Sequence, residues 1–140
     1  MKSKRILSLL AVAALATTIL VGCGDKADPN ALKDGSYTEK GTADDRGNTP
    51  EITIEVKDGK IATVKYDEVS ADGVGKTTNE EYNKKMTDAG MEHNPATGFP
   101  KLEASLVEKQ DVAAVEAVTG VTNSSDSFKE LATKVLEQAK

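Results

Sequence analysis

The sequence is poor in the residues that most often carry chemistry. Its 140 residues hold one cysteine, one histidine and no tryptophan. A lone cysteine excludes an intramolecular disulfide framework and a Cys-rich zinc site. His93 stands in a polar stretch with no cysteine or second histidine beside it, and reads as solvated surface. Ser124 and Ser127 have no histidine near them in sequence, which argues against a nucleophilic triad. The acidic pairs Asp44-Asp45 and Glu80-Glu81 lack the spacing of a metal loop and read as solvated faces. No cluster of Lys and Arg offsets the formal net charge of −5, which argues against a nucleic-acid partner.

The apolar residues are unevenly spread. Lys2, Lys4 and Arg5 form a positive start, and Ile6–Val21 follows as 16 residues without a charge. That run is shorter than the roughly 20 residues a helix needs to span a bilayer, and the pattern is that of a signal peptide. It ends at Leu20-Val21-Gly22-Cys23, which resembles a bacterial lipobox. The only cysteine thus sits where a diacylglyceryl group would be attached. The reading is a lipoprotein signal peptide over residues 1–22, a lipidated Cys23 with a polar tether to Lys33, and one domain over 34–140. With Lys2, Lys4 and Arg5 set aside, fifteen basic and 23 acidic residues remain, a net charge of −8. Localisation is then the extracytoplasmic face of the cell membrane, anchored by lipid and not by a spanning helix.

Beyond the tether, Ser36-Tyr37-Thr38 reads as a first short strand. Ile52, Ile54 and Val56 alternate with Glu51, Thr53 and Glu55, the period of a half-buried strand. Asp58-Gly59 supplies a tight turn, and Ile61–Val69 returns with Ala62, Val64 and Tyr66 on one face. Thr78 and Glu81 form a capping box for a short helix ended by Gly90. His93–Gly98 reads as loop, and Pro100 opens a second helix with Phe99, Leu102, Leu106 and Val107 as its stripe. Val112–Val118 is apolar but for Glu116 and reads as a buried strand or strand-like run. The last helix, Ser125–Ala139, carries Phe128, Leu131, Ala132, Val135 and Leu136 at helical spacing. The expected fold is α+β: a small, largely antiparallel sheet with a central β-hairpin and about three helices packed on it.

One segment joins these elements in a way that points to a ligand. In Glu116-Ala117-Val118-Thr119-Gly120-Val121-Thr122-Asn123-Ser124-Ser125, an apolar run meets a glycine turn, then hydroxyls, then a helix start. Free N–H groups and the macrodipole at a helix N-terminus favour an anion such as phosphate. The competing reading is an ordinary N-cap in which Ser124 or Ser125 satisfies the helix.

The same segment resembles the flavinylation motif of FMN-binding domains, D-A-V-S-G-A-T followed by further Ser or Thr. Asp34-Gly35-Ser36-Tyr37-Thr38 is similar to the D-G-x-Y opening of those domains, and Val56-Lys57-Asp58-Gly59-Lys60-Ile61 to the centre of their hairpin. Glu80–Met86 and Phe99–Glu103 resemble the small membrane-anchored lipoprotein branch. Glu116, Thr119 and Val121 stand where the common motif has Asp, Ser and Ala. The resemblance implies that a separate flavin transferase uses FAD to attach FMN through a phosphoester to Thr122. Thr119, Gly120, Asn123, Ser124 and Ser125 would then surround the phosphate. It implies a redox carrier relaying electrons and not a self-contained enzyme. The alternative is a lipoprotein of the same fold that binds FMN or another ligand without a covalent bond, or contacts a surface partner.

Overall fold

A computed structural model describes residues 30–140; the signal segment and Cys23 lie outside the described residues. Three strands form an antiparallel meander in the order β1 (Gly35–Lys40), β2 (Thr49–Lys57) and β3 (Lys60–Val69). The β2–β3 turn is the one the sequence predicts: Asp58 and Gly59 have φ of 54° and 75°, the paired positive values of a two-residue hairpin loop. Ile52, Ile54 and Val56 are buried on β2 as their alternation requires.

On β3 the expected face is wrong at its first residue. The register shifts between Glu55 and Val56, pairing Val56 with Ile61 and Glu55 with Thr63. The unpaired extra residue is Ala62, which is exposed, while Ile61, Val64, Tyr66 and Glu68 turn inward. A bulge of this kind resets the phase of a strand, so simple alternation from Ala62 fails.

The helices are α1 (Glu80–Asp88), α2 (Pro95–Lys109) and α3 (Thr122–Gln138). α2 packs over β3, and α3 over β1 and β2. Their faces meet on Tyr66, whose ring lies edge-on to Phe99 at 4.9 Å and to Phe128 at 5.3 Å. Three of the five aromatic residues are thereby spent on the core, and the observed architecture is the α+β fold expected.

Two helix starts differ from expectation. Asn79, not Thr78, caps α1 by accepting from the Tyr82 N–H, while the Thr78 hydroxyl donates to the Gly75 carbonyl. α2 begins at Pro95, within the stretch read as loop. Asn94 and Thr97 form a reciprocal capping box, and Pro95 takes the first helical position, where its missing N–H is harmless. Gly98 is therefore helical, and its reason is packing: a Cβ there would lie 2.7 Å from Val121 Cγ2. Pro100 sits inside the helix, on its exposed side.

Val112–Val118 forms no strand. Asp111 accepts from the Ala113 N–H and starts a 3-10 turn over Val112–Ala114, and in the rest only Val115 is buried. The sheet edge such a strand would have joined is already occupied by α2. The Gln110 side chain accepts from the Ile61 N–H and donates to the Ile61 carbonyl, both at 2.8 Å, as a neighbouring strand would. Glu103 likewise accepts from the Tyr66 N–H at 2.8 Å. These contacts close an edge that would otherwise be free to pair with another chain.

Burial raises the Glu103 carboxyl above its ordinary value, against the lowering pull of the Tyr66 N–H and Lys65. A raised acid favours the fold while it is protonated, and that contribution is lost as pH climbs through the folded-state value. Glu103→Gln keeps an acceptor for Tyr66 and removes the titration. Its stability relative to the parent protein should rise between pH 4 and pH 7 in urea unfolding. A constant difference over that range would contradict the burial argument.

Candidate functional site

The approach to α3 is a tight turn. The Val121 N–H donates to the Val118 carbonyl at 3.0 Å, and Gly120, third in the turn, has φ of +95°. The His93 carbonyl oxygen lies 2.2 Å from where a Cβ on Gly120 would stand, so neither the backbone angle nor the space admits a side chain. The role of His93 here belongs to its main chain. Its ring Nε2 lies 3.1 Å from Lys101 Nζ.

α3 starts three residues earlier than its apolar periodicity indicates. Its N-cap is Val121, which makes no side-chain capping bond. The ordinary-cap reading thus fails for Ser124 and for Ser125. Among the described residues no carbonyl or side chain accepts from the N–H groups of Thr122, Asn123 or Ser124. Three donors at the positive end of a 17-residue helix are left open. Thr122 is the first helical residue and is exposed. The Val121 side chain turns the other way, buried in the core above Gly98.

Ser125 needs correcting as a site residue. It is fully buried, its hydroxyl donating to the Val121 carbonyl at 2.8 Å and accepting from the Val118 N–H at 3.1 Å. That oxygen ties the turn to the helix and faces no cavity. Ser125→Ala should lower stability by about 1–2 kcal/mol, because the Val118 N–H loses its acceptor. Urea unfolding checks the value, and no change in stability would contradict it. Thr119 is exposed on the turn and does not line the cavity described next.

Gly120, Thr122, Asn123 and Ser124 line one side of a cavity of about 620 Å³. The opposite sides come from parts of the chain that carry no signal in sequence. The β1–β2 loop supplies Arg46, held on a turn in which Asp44 accepts from the Arg46 N–H at 2.9 Å and the Asn48 N–H at 2.8 Å. Burial raises the Asp44 carboxyl, but the Asn48 and Arg46 groups and Lys76 outweigh it, so it is lowered overall. Asp44 is thus held at the rim of the cavity wall while staying exposed, as its sequence context indicates.

Lys76 projects its ammonium between Glu68 and Asp44, bonded to the first and 3.6 Å from the second. Its side chain is 14% exposed and that of Glu68 8%, so this pair is largely withdrawn from water. Glu68 also accepts from the Tyr66 hydroxyl at 3.0 Å. Burial and the Glu68 charge push the Tyr66 phenol well above its ordinary value, keeping it a neutral donor. The cavity cation is therefore braced from the centre of the core. Tyr82 and Met86 of α1 complete the wall, with the Tyr82 ring centroid 5.8 Å from Lys76 Nζ.

α1 itself is fastened by Asn83. Its buried amide donates to the carbonyls of Lys76 and Asn79 at 2.9 Å, and its oxygen accepts from the Ala96 N–H at 3.2 Å. One side chain links the Lys76 loop, α1 and the start of α2.

Comparison with known proteins adds three relationships. The sequence is 30% identical over 128 residues to a 15 kDa lipoprotein of Treponema pallidum (strain Nichols), covering 91% of this chain and 88% of that protein. A crystal structure of a Clostridium perfringens protein shares the fold with a TM-score of 0.72 at 43% identity, over 77% of this chain and 88% of that one. A solution structure of a Clostridium thermocellum protein gives 0.53 at 28% identity, over 78% and 93%. No protein-family model matches the sequence.

Proposed function

The chain belongs to the family of the Treponema pallidum 15 kDa lipoprotein, and from that premise we propose a lipoprotein that carries FMN. In this reading Cys23 bears the lipid that anchors it to the outer face of the cytoplasmic membrane. The domain holds FMN through a phosphoester on Thr122 and serves as an electron-transfer module, with the flavin installed by a separate transferase. Among the described residues no helix is long and apolar enough to cross a membrane.

The observation that carries the flavin reading is the uncapped start of α3. Three unpartnered N–H groups, the dipole of a long helix and an exposed threonine hydroxyl converge on one cavity. FMN offers an anionic phosphate, singly charged once esterified, and a flat ring system, and the residues present fit both. The N–H groups of Thr122, Asn123 and Ser124 suit the phosphate, and Arg46 lines the same cavity, as does Lys76, whose charge Glu68 and Asp44 already meet. Tyr82 and Met86 provide an apolar wall for a ring. A cavity of about 620 Å³ is within the range of cofactor sites. When bound, the flavin supplies one- and two-electron redox chemistry that no side chain here possesses. Glu68 and Asp44 hold Lys76 at the cavity wall, and Val121 is buried against Gly98.

Co-expression with a flavin transferase should yield a yellow protein whose denatured gel band still fluoresces. A colourless product under those conditions contradicts the proposal. The open N–H groups would equally hold the phosphate of free FMN. Colour that dialyses away, or thermal stabilisation by free FMN alone, identifies that non-covalent case.

A further inference from the structure

We propose that the domain stands on the membrane by the pole where its tether enters, so that the Thr122 cavity faces away from the bilayer. A redox partner then reaches the cavity from the aqueous side and not from within the lipid. This rests on the readings of Cys23 and Thr122 given above, and adds to them a direction.

The direction follows from where the chain is fastened. The Lys33 N–H donates to the carbonyl of Ala139, the residue that ends α3, at 2.6 Å. The Tyr37 hydroxyl donates to the Lys33 carbonyl at 2.9 Å. The Asp34 carboxylate accepts from the Gly59 N–H at 2.9 Å, on the hairpin turn. Leu32 packs against the core. The tether is thus pinned from Leu32 onward to the C-terminal end of α3, whereas the cavity opens at its N-terminal end. Seventeen helical residues separate the two poles by roughly 25 Å.

Chain length then decides between orientations. Cys23 and Asn30 are seven residues apart, a reach of at most about 25 Å when fully extended. With the tether pole downward, that length has ample slack. To turn the cavity toward the lipid, the whole segment would have to run taut along the side of the domain, leaving nothing for Cys23 to reach its lipid's depth. Gaining slack by peeling the chain away would expose Leu32 and break the bonds at Lys33, Asp34 and Tyr37. The inverted orientation is therefore strained, and the upright one is not.

The test uses the full lipidated protein in phosphatidylcholine–phosphatidylglycerol vesicles containing a lipid with a nitroxide on its headgroup. Cys23 carries the lipid through its sulfur, so one new cysteine at a time takes a fluorophore: Lys140→Cys at the tether pole or Asp126→Cys near the cavity. The two positions differ by roughly 20 Å along α3, so quenching at Lys140→Cys should exceed that at Asp126→Cys by about threefold or more. Equal or reversed quenching in protein that floats with the vesicles overturns the orientation alone. Protein that does not float overturns the lipid reading, and the orientation with it.

Discussion

Gly120→Ala should lower the unfolding free energy of the domain by about 3 kcal/mol, combining strain at a positive φ with a backbone collision. The collision is the larger part. A Cβ would stand 2.2 Å from the His93 carbonyl oxygen, and that oxygen belongs to the rigid approach to α2, not to a side chain that can swing aside. Gly90 provides the control. Its φ of +79° is equally unfavourable for alanine, but a Cβ there would meet nothing within 4 Å. Gly90→Ala should therefore cost only about 1 kcal/mol, the conformational part alone. Urea midpoints of the two variants separate strain from collision, and equal losses would contradict the packing of Gly120 against His93. Because the Gly120 turn aims the start of α3, the same variant should also lose flavin.

Thr122→Ala should abolish covalent flavin while leaving the fold intact. Thr122 is exposed at the first position of α3 and its hydroxyl caps nothing, so the stability change should stay within about 0.5 kcal/mol. Thr122→Ser, which retains a hydroxyl, should still accept the cofactor. Ser125→Ala should lose stability but keep its flavin, because its oxygen faces the turn and not the cavity. The opposite responses of two hydroxyl residues three positions apart separate attachment from folding. In-gel fluorescence of denatured protein reads the first, and urea unfolding the second. A fluorescent band from Thr122→Ala would place the attachment elsewhere.

What was legible in the sequence was local. The β2–β3 hairpin follows from a period of two and an Asp-Gly pair, both contained within twenty residues. The Gly120–Ser124 segment is readable because turn, hydroxyls and helix start are consecutive. The misreadings occur where a distant partner decides. Gly98 looks like loop until Val121 is seen to occupy the space over it, and Pro100 looks like a helix start although Asn94 and Pro95 open that helix five residues earlier. Val112–Val118 looks like a strand until Gln110 and Glu103 are found closing the sheet edge. The Ala62 bulge is invisible to alternation. Arg46, Lys76 and Glu68 come together across the fold, and nothing in their own neighbourhoods marks them as cavity residues. Lys76 in particular owes its place to a carboxylate eight residues away that is itself braced by a core tyrosine.

Under the proposed function, this small fold borrows its chemistry from a flavin esterified to Thr122 and its location from a lipid on Cys23. Intact mass spectrometry of the mature protein from its native membrane tests both at once. The predicted result is a chain beginning at Cys23 whose mass exceeds the polypeptide by its lipid and one phosphoester-linked FMN. The FMN increment should map to the peptide holding Thr122. A lipidated chain with no flavin increment, or an increment mapping to any other residue, would contradict the account.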